Sequence, residues 1–90
     1  MDIKVENGKD VEEILNYYGE EAQALKTVEE LAELQRAIVR QDLGNMEEEI
    51  ADVFIMLIQL TKFTGISTDR IASLIDYKID RQLKRINAVG

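Results

Sequence analysis

An all-α fold is predicted by three observations. The 90-residue chain contains no proline, the strongest helix breaker. Its five glycines stand singly, at positions 8, 19, 44, 65 and 90. Between them, apolar residues recur at three- and four-residue spacing, the period of a helix that buries one face. Ninety residues suffice for one compact domain and not for two. Residues 1–90 are therefore read as a single four-helix domain without linker, repeat or low-complexity tract.

The first helix is expected over roughly Asp10 to Tyr18, with Asp10 as N-cap and Glu13 at the reciprocal capping-box position. Gly19 ends or kinks it. The second runs roughly from Glu20 to Gln41, with Leu25, Val28, Ala32 and Val39 in helical register. Gly44 and Asn45 close it and open the third, about Met46 to Thr64, where Asn45 caps and Glu48 reciprocates. From Ile50 to Leu60 the only charge on this third helix is Asp52 and the only neutral polar residue is Gln59. A helix apolar all round is buried all round, and four short helices cannot cover it in a monomer. A second copy is therefore expected to do so, in a homodimer or homotetramer. After Gly65 the fourth helix begins near Ser67 or Thr68, with Ile71, Leu74, Ile75, Ile79, Leu83 and Ile86 as its apolar stripe. The short turn near Gly44 makes helices two and three an antiparallel pair.

Two absences narrow the chemistry. Without cysteine there is no thiolate nucleophile, disulfide or zinc–sulfur site. Without histidine the commonest general base and transition-metal ligand is missing. A catalytic metal must then be held by oxygen, which points to magnesium, with manganese as a substitute. Charge is uneven: residues 1–69 hold 16 acids against 6 bases, and residues 70–90 hold 2 acids against 5 bases. The acidic bulk argues against duplex nucleic acid. The charged N-terminal stretch is not a secretory signal, and the longest apolar run, Val53 to Ile58, is too short to span a bilayer. A soluble cytoplasmic protein is expected.

Glu30, Glu33, Glu49 and Asp52 carry the chemical signal, as Glu-x-x-Glu on one helix and Glu-x-x-Asp on the next. Residues three apart share a helix face, so each pair aims two carboxylates at one point. Counted outward from the turn, Glu33 stands level with Asp52 and Val53, and the two pairs face each other. Four converging carboxylates beside an apolar helix lose hydration and repel one another. Either they take up protons or a divalent cation neutralises them. Glu-x-x-Glu alone is a common accident of acidic helices, and Glu47 and Glu48 are read as first-turn residues favoured by the helix dipole. Asp52 differs, since it interrupts an apolar helix where leucine would pack better. Lys26 is the best nearby candidate for a salt bridge, and one lysine does not balance four acids.

The segment Gln23-Ala-Leu-Lys26-Thr-Val-Glu29-Glu30-Leu-Ala-Glu33-Leu34, followed by Glu48-Glu49-Ile-Ala-Asp52-Val53, resembles the MazG-like superfamily of all-α nucleotide pyrophosphohydrolases. The resemblance extends from about Tyr18 to Arg85. It implies that Glu30, Glu33, Glu49 and Asp52 bind magnesium and that Glu29 binds it or positions the attacking water. It also implies cleavage of a nucleoside triphosphate between its α and β phosphates, giving a monophosphate and pyrophosphate. Lys78-Ile-Asp-Arg81-Gln82-Leu-Lys-Arg85 resembles the family's C-terminal helix, with Gln82 where relatives often carry asparagine. By that resemblance Lys78, Arg81 and Arg85 bind the phosphate tail, with Lys84 a bystander. Lys26 either holds a phosphate or pairs with an acid. Tyr17 and Tyr18 are read first as packing lids, with stacking on a base as the alternative, and Phe54 as core.

Two further enzyme readings stay open, a phosphoribosyl-ATP pyrophosphohydrolase and a dUTPase-like enzyme. The first lacks its expected Ser-Tyr-Thr stretch here, and the second usually has a longer chain. The reading from another class is a non-catalytic helical oligomerisation module, in which the acids are a solvated edge.

Overall fold

The computed structural model describes residues 4–89. Among them are four α-helices, a short 3-10 turn and no strand: the turn Gly8–Asp10, then α1 Val11–Tyr18, α2 Glu20–Arg40, α3 Leu43–Thr64 and α4 Thr68–Val89. None of these helices is long and apolar enough to cross a membrane.

The helix boundaries follow from local chemistry, with two departures from the sequence reading. Asp10 does precede α1, but its side chain caps nothing. The 3-10 turn leads directly into the helix, so Asp10 has αR backbone angles (φ −77°, ψ −12°) instead of an extended cap conformation. The α2–α3 connection lies earlier than the Gly44–Asn45 pair suggests. Gln41 ends α2 in the left-handed conformation at φ 56°, a place more often taken by glycine. The Gln41 and Asp42 N–H groups donate back to the carbonyls of Ile38 and Ala37, both at 3.1 Å. Asp42 is then the N-cap of α3: its Oδ1 accepts the Asn45 N–H at 3.2 Å, and its Oδ2 accepts the Asn45 side-chain amide at 2.9 Å. Gly44 and Asn45 therefore lie inside α3, and Asn45 donates to the cap.

The break between α1 and α2 does need its glycine. Gly19 sits at φ 94°, ψ 155°, a region essentially closed to L side chains. It closes α1 by donating its N–H to the Leu15 carbonyl at 2.8 Å and opens α2 by accepting the Gln23 N–H at 3.1 Å. Gly65, at φ 72°, ends α3. The Ser67 hydroxyl then accepts the Arg70 N–H at 3.2 Å and caps α4.

Packing centres on α2 against α3, with α1 laid across both. The buried residues are Val11 and Leu15 of α1, Gln23, Thr27, Glu30 and Ala37 of α2, and Val53, Met56 and Gln59 of α3. The face that α2 turns inward is thus rich in polar groups. The apolar register noted in the sequence points the other way, with Leu25, Val28 and Val39 65–76% exposed. The α4 stripe is also uncovered: Leu74, Ile75, Ile79, Leu83 and Ile86 are all exposed, and among the residues of that helix whose burial is described only Ile71 and Arg81 are half-buried. Helix α3 is covered on one side only, for Ile50, Ile55 and Leu57 remain exposed.

Global dimensions agree. The radius of gyration is 15.8 Å, against about 12 Å for a compact chain of this length. The accessible surface is 7483 Å², against about 5400 Å² for a folded monomer of this mass.

Candidate functional site

Three carboxylates meet on the inner side of the α2–α3 pair. One oxygen each from Glu30, Glu49 and Asp52 lies within 4.8 Å of the others. Helical spacing explains the Glu49–Asp52 half, since residues three apart share a face. Glu30 completes the group from α2, where it is 9% exposed, while Glu49 and Asp52 are half-buried. The tight Gln41–Asp42 turn sets the level. Because the turn comes earlier than Gly44, the acid of α2 that reaches Asp52 is Glu30, one helical turn before Glu33.

The electrostatics are those of an uncompensated cluster. Burial, then the charge and hydrogen bond of Glu30, then the charges of Asp52 and Glu33 hold the Glu49 carboxyl above the usual carboxylate range. Burial and Glu30 do the same to Asp52, with Lys26 opposing. The Glu49 Oε2 is shielded from solvent without a hydrogen-bond partner. Lys26 is the nearby cation: its Nζ lies 3.2 Å from Glu30 and 3.5 Å from Glu29. These acids, Glu30 foremost, raise its own pKa. Half of its side chain is in solvent, and exposed ion pairs contribute about 0–1 kcal/mol. It cannot offset three acids.

The donor set suits a hard divalent cation. Oxygen-only ligands, one of them buried and another with an orphaned oxygen, match magnesium or manganese. Two oxygens sharing one magnesium are at most about 4.2 Å apart. The 4.8 Å spread is thus within a modest side-chain adjustment of a shared ion. Glu30, Glu49 and Asp52 fit the role.

The other residues named from sequence are placed as follows. Glu33 is outside the three-oxygen group and pairs with Arg36 one turn on, although its charge still acts on Glu49. Glu29 is 70% exposed, turned toward Lys26. Lys78, Arg81 and Arg85 ride on α4, which packs little against α2 and α3. Of these, Lys78 and Arg85 are exposed. Arg81 lies half-buried with its guanidinium carbon 5.8 Å from the Tyr77 ring centroid, and its Nε lacks a partner. Tyr17 and Tyr18 meet edge to face at 4.8 Å and are largely exposed. Phe54 is half-buried beside α1.

Gln59, the only neutral polar residue of the apolar run on α3, has no role assigned from sequence. It is completely buried, and neither of its terminal atoms has a hydrogen-bond partner. Its isolation in an apolar run was the available signal, the same one that singled out Asp52.

No curated protein matches the chain, and no solved structure does. Residues 18–86 match the family model described as the MazG nucleotide pyrophosphohydrolase domain. That span starts at the end of α1 and takes in all of α2 and α3 and most of α4, including the converging acids. By that match over three-quarters of its length, the chain belongs to the MazG nucleotide pyrophosphohydrolase domain family.

Proposed function

We propose that the chain hydrolyses nucleoside triphosphates to monophosphate and pyrophosphate with magnesium, manganese serving as a substitute. The convergence of Glu30, Glu49 and Asp52 carries this reading, set within a family whose description names nucleotide pyrophosphate chemistry. These three would hold the cation, with Glu33 in support from the adjoining turn of α2. When bound, the cation neutralises phosphate charge and makes water a stronger nucleophile. Glu29, exposed next to the cluster, accepts a hydrogen bond from the attacking water and orients it. Lys26 sits beside the acids with its side chain half in solvent, ready to exchange a carboxylate for a phosphate oxygen. Lys78, Arg81 and Arg85 pair with the outer phosphates and stabilise charge on the leaving pyrophosphate.

The test is pyrophosphate release from a panel of canonical and modified triphosphates, with phosphoribosyl-ATP and dUTP included. Release is expected with magnesium and not with excess chelator. No release from any member would leave a non-catalytic helical assembly module as the reading.

The working form is a homodimer or homotetramer in which α2 and α3 run antiparallel. Surface area supports assembly: each chain exposes about 2000 Å² more than a folded monomer of its mass. That excess is on the scale of an obligate interface. Uncovered apolar stripes on α2, α3 and α4 supply the surface. Sedimentation equilibrium at micromolar concentration is expected to give a multiple of the 10.3 kDa chain mass. The chain mass itself would refute assembly.

A further inference from the structure

Gln59 is the one side chain among the described residues that is both large and fully enclosed, yet its Oε1 and Nε2 make no hydrogen bond. A buried carboxamide without partners is destabilising, and native proteins rarely keep one without a use. Leucine would fill the space at less cost. Gln59 has no exposed surface, so a ligand, like a second copy of the chain, meets its carboxamide only by parting the side chains that cover it. What reaches it must enter the cleft that it lines.

That cleft is formed by α1, α2 and α3. Gln59 shares it with Gln23, itself 5% exposed, and with Lys26, Ile14, Tyr18 and Ile55. Lys26 joins the cleft to the acidic cluster, being 3.2 Å from Glu30. Gln23 precedes Glu30 by seven residues on α2, and Gln59 follows Asp52 by seven on α3. Two helical turns place the carboxamides about 10 Å from the acids. Phosphates held at the acids and Lys26 would therefore extend a ribose and base toward the glutamines. Ile14, Ile55 and the Tyr18 ring offer apolar faces for a planar ring. A carboxamide offers a donor and an acceptor side by side, the pattern that meets a base edge.

We propose that Gln59, supported by Gln23, reads the base of the nucleotide and determines specificity in the reaction inferred above. The proposal rests on that pyrophosphohydrolase reading and makes the substrate a base-bearing nucleotide, not a bare polyphosphate.

Calorimetric titration of the whole protein with the nucleoside monophosphates, magnesium present, tests it without requiring turnover. Wild type is expected to bind them with affinities that depend on the base. Gln59→Leu is expected to weaken the preferred monophosphate at least tenfold and to bring the affinities for different bases together. Its oligomer mass should be unchanged, and its melting temperature without nucleotide unchanged or raised. Gln23→Leu is expected to act in the same direction with a smaller loss, and it serves as the test should Gln59→Leu fail to fold. Equal affinities in wild type and variant would overturn the proposal, as would a uniform loss that includes inorganic tripolyphosphate or a change in mass alone. Failure of the hydrolase reading would appear separately, as base-dependent binding without pyrophosphate release.

Discussion

Asp52→Ala is expected to lower pyrophosphate release by about three orders of magnitude or more, while the protein stays folded and melts no lower than wild type. The two halves of this result come from one feature. Asp52 is one of three oxygen donors that converge, and a site that depends on a cation for charge neutralisation and water activation loses both when a ligand is removed. The same side chain is a burden on the fold. Burial and the neighbouring Glu30 hold its carboxyl above the ordinary range, so its ionised form is disfavoured where it stands. Alanine removes that penalty and is a better residue in the middle of a helix. Loss of activity with gain of stability is the pattern of a residue kept for function. Turnover within tenfold of wild type, with circular dichroism showing intact helices, would sink the assignment. A variant that failed because it unfolded would contradict the second half.

The sequence showed more of the helices than of their faces. Four helices separated at Gly19, near Gly44 and at Gly65 are legible because no proline interrupts them and the apolar spacing is helical. The exact turn between α2 and α3 is not. A Gly-Asn pair is a strong stop signal, and nothing in the identity of Gln41 announces a left-handed backbone. Since both helices count outward from the turn, each residue by which the turn moves shifts facing positions by two, so a displacement of one or two residues amounts to about one helical turn. That is why Glu33 was expected level with Asp52, whereas the structure puts Glu30 there and leaves Glu33 with Arg36. The stripe of Leu25, Val28 and Val39 was read from periodicity alone, which detects an apolar face but not its partner. In the chain these residues are exposed. The acids were easier to find, since a charge in an apolar run contradicts the local pattern. Gln59 contradicts it too, but a neutral amide is a weaker contradiction than a carboxylate.

Millimolar magnesium is expected to raise the melting temperature, and to raise it more at pH 8 than at pH 5. Carboxyls whose folded pKa lies above the unfolded value favour the native state only while protonated. For Glu49 and Asp52, this relative stabilisation is complete below the unfolded carboxylate pKa and lost as pH rises through the raised folded one. Magnesium-free protein should therefore lose stability from these two groups as pH rises above the ordinary carboxylate range toward pH 8. Lys26 does not reverse the trend, because its raised pKa keeps it charged throughout that window. Magnesium competes with protons for the same oxygens, so it binds weakly at pH 5 and strongly once the acids are ionised. At ten times its dissociation constant a ligand adds about 1.4 kcal/mol of stability, or several degrees for a domain of this size. Differential scanning fluorimetry at both pH values, with and without magnesium, reads the effect directly. The variant Glu30→Gln/Glu49→Gln/Asp52→Asn should lose both the pH trend and the magnesium shift. If it kept a shift as large as wild type, the cation would be binding elsewhere, and the three acids would be a solvated edge of a helical assembly.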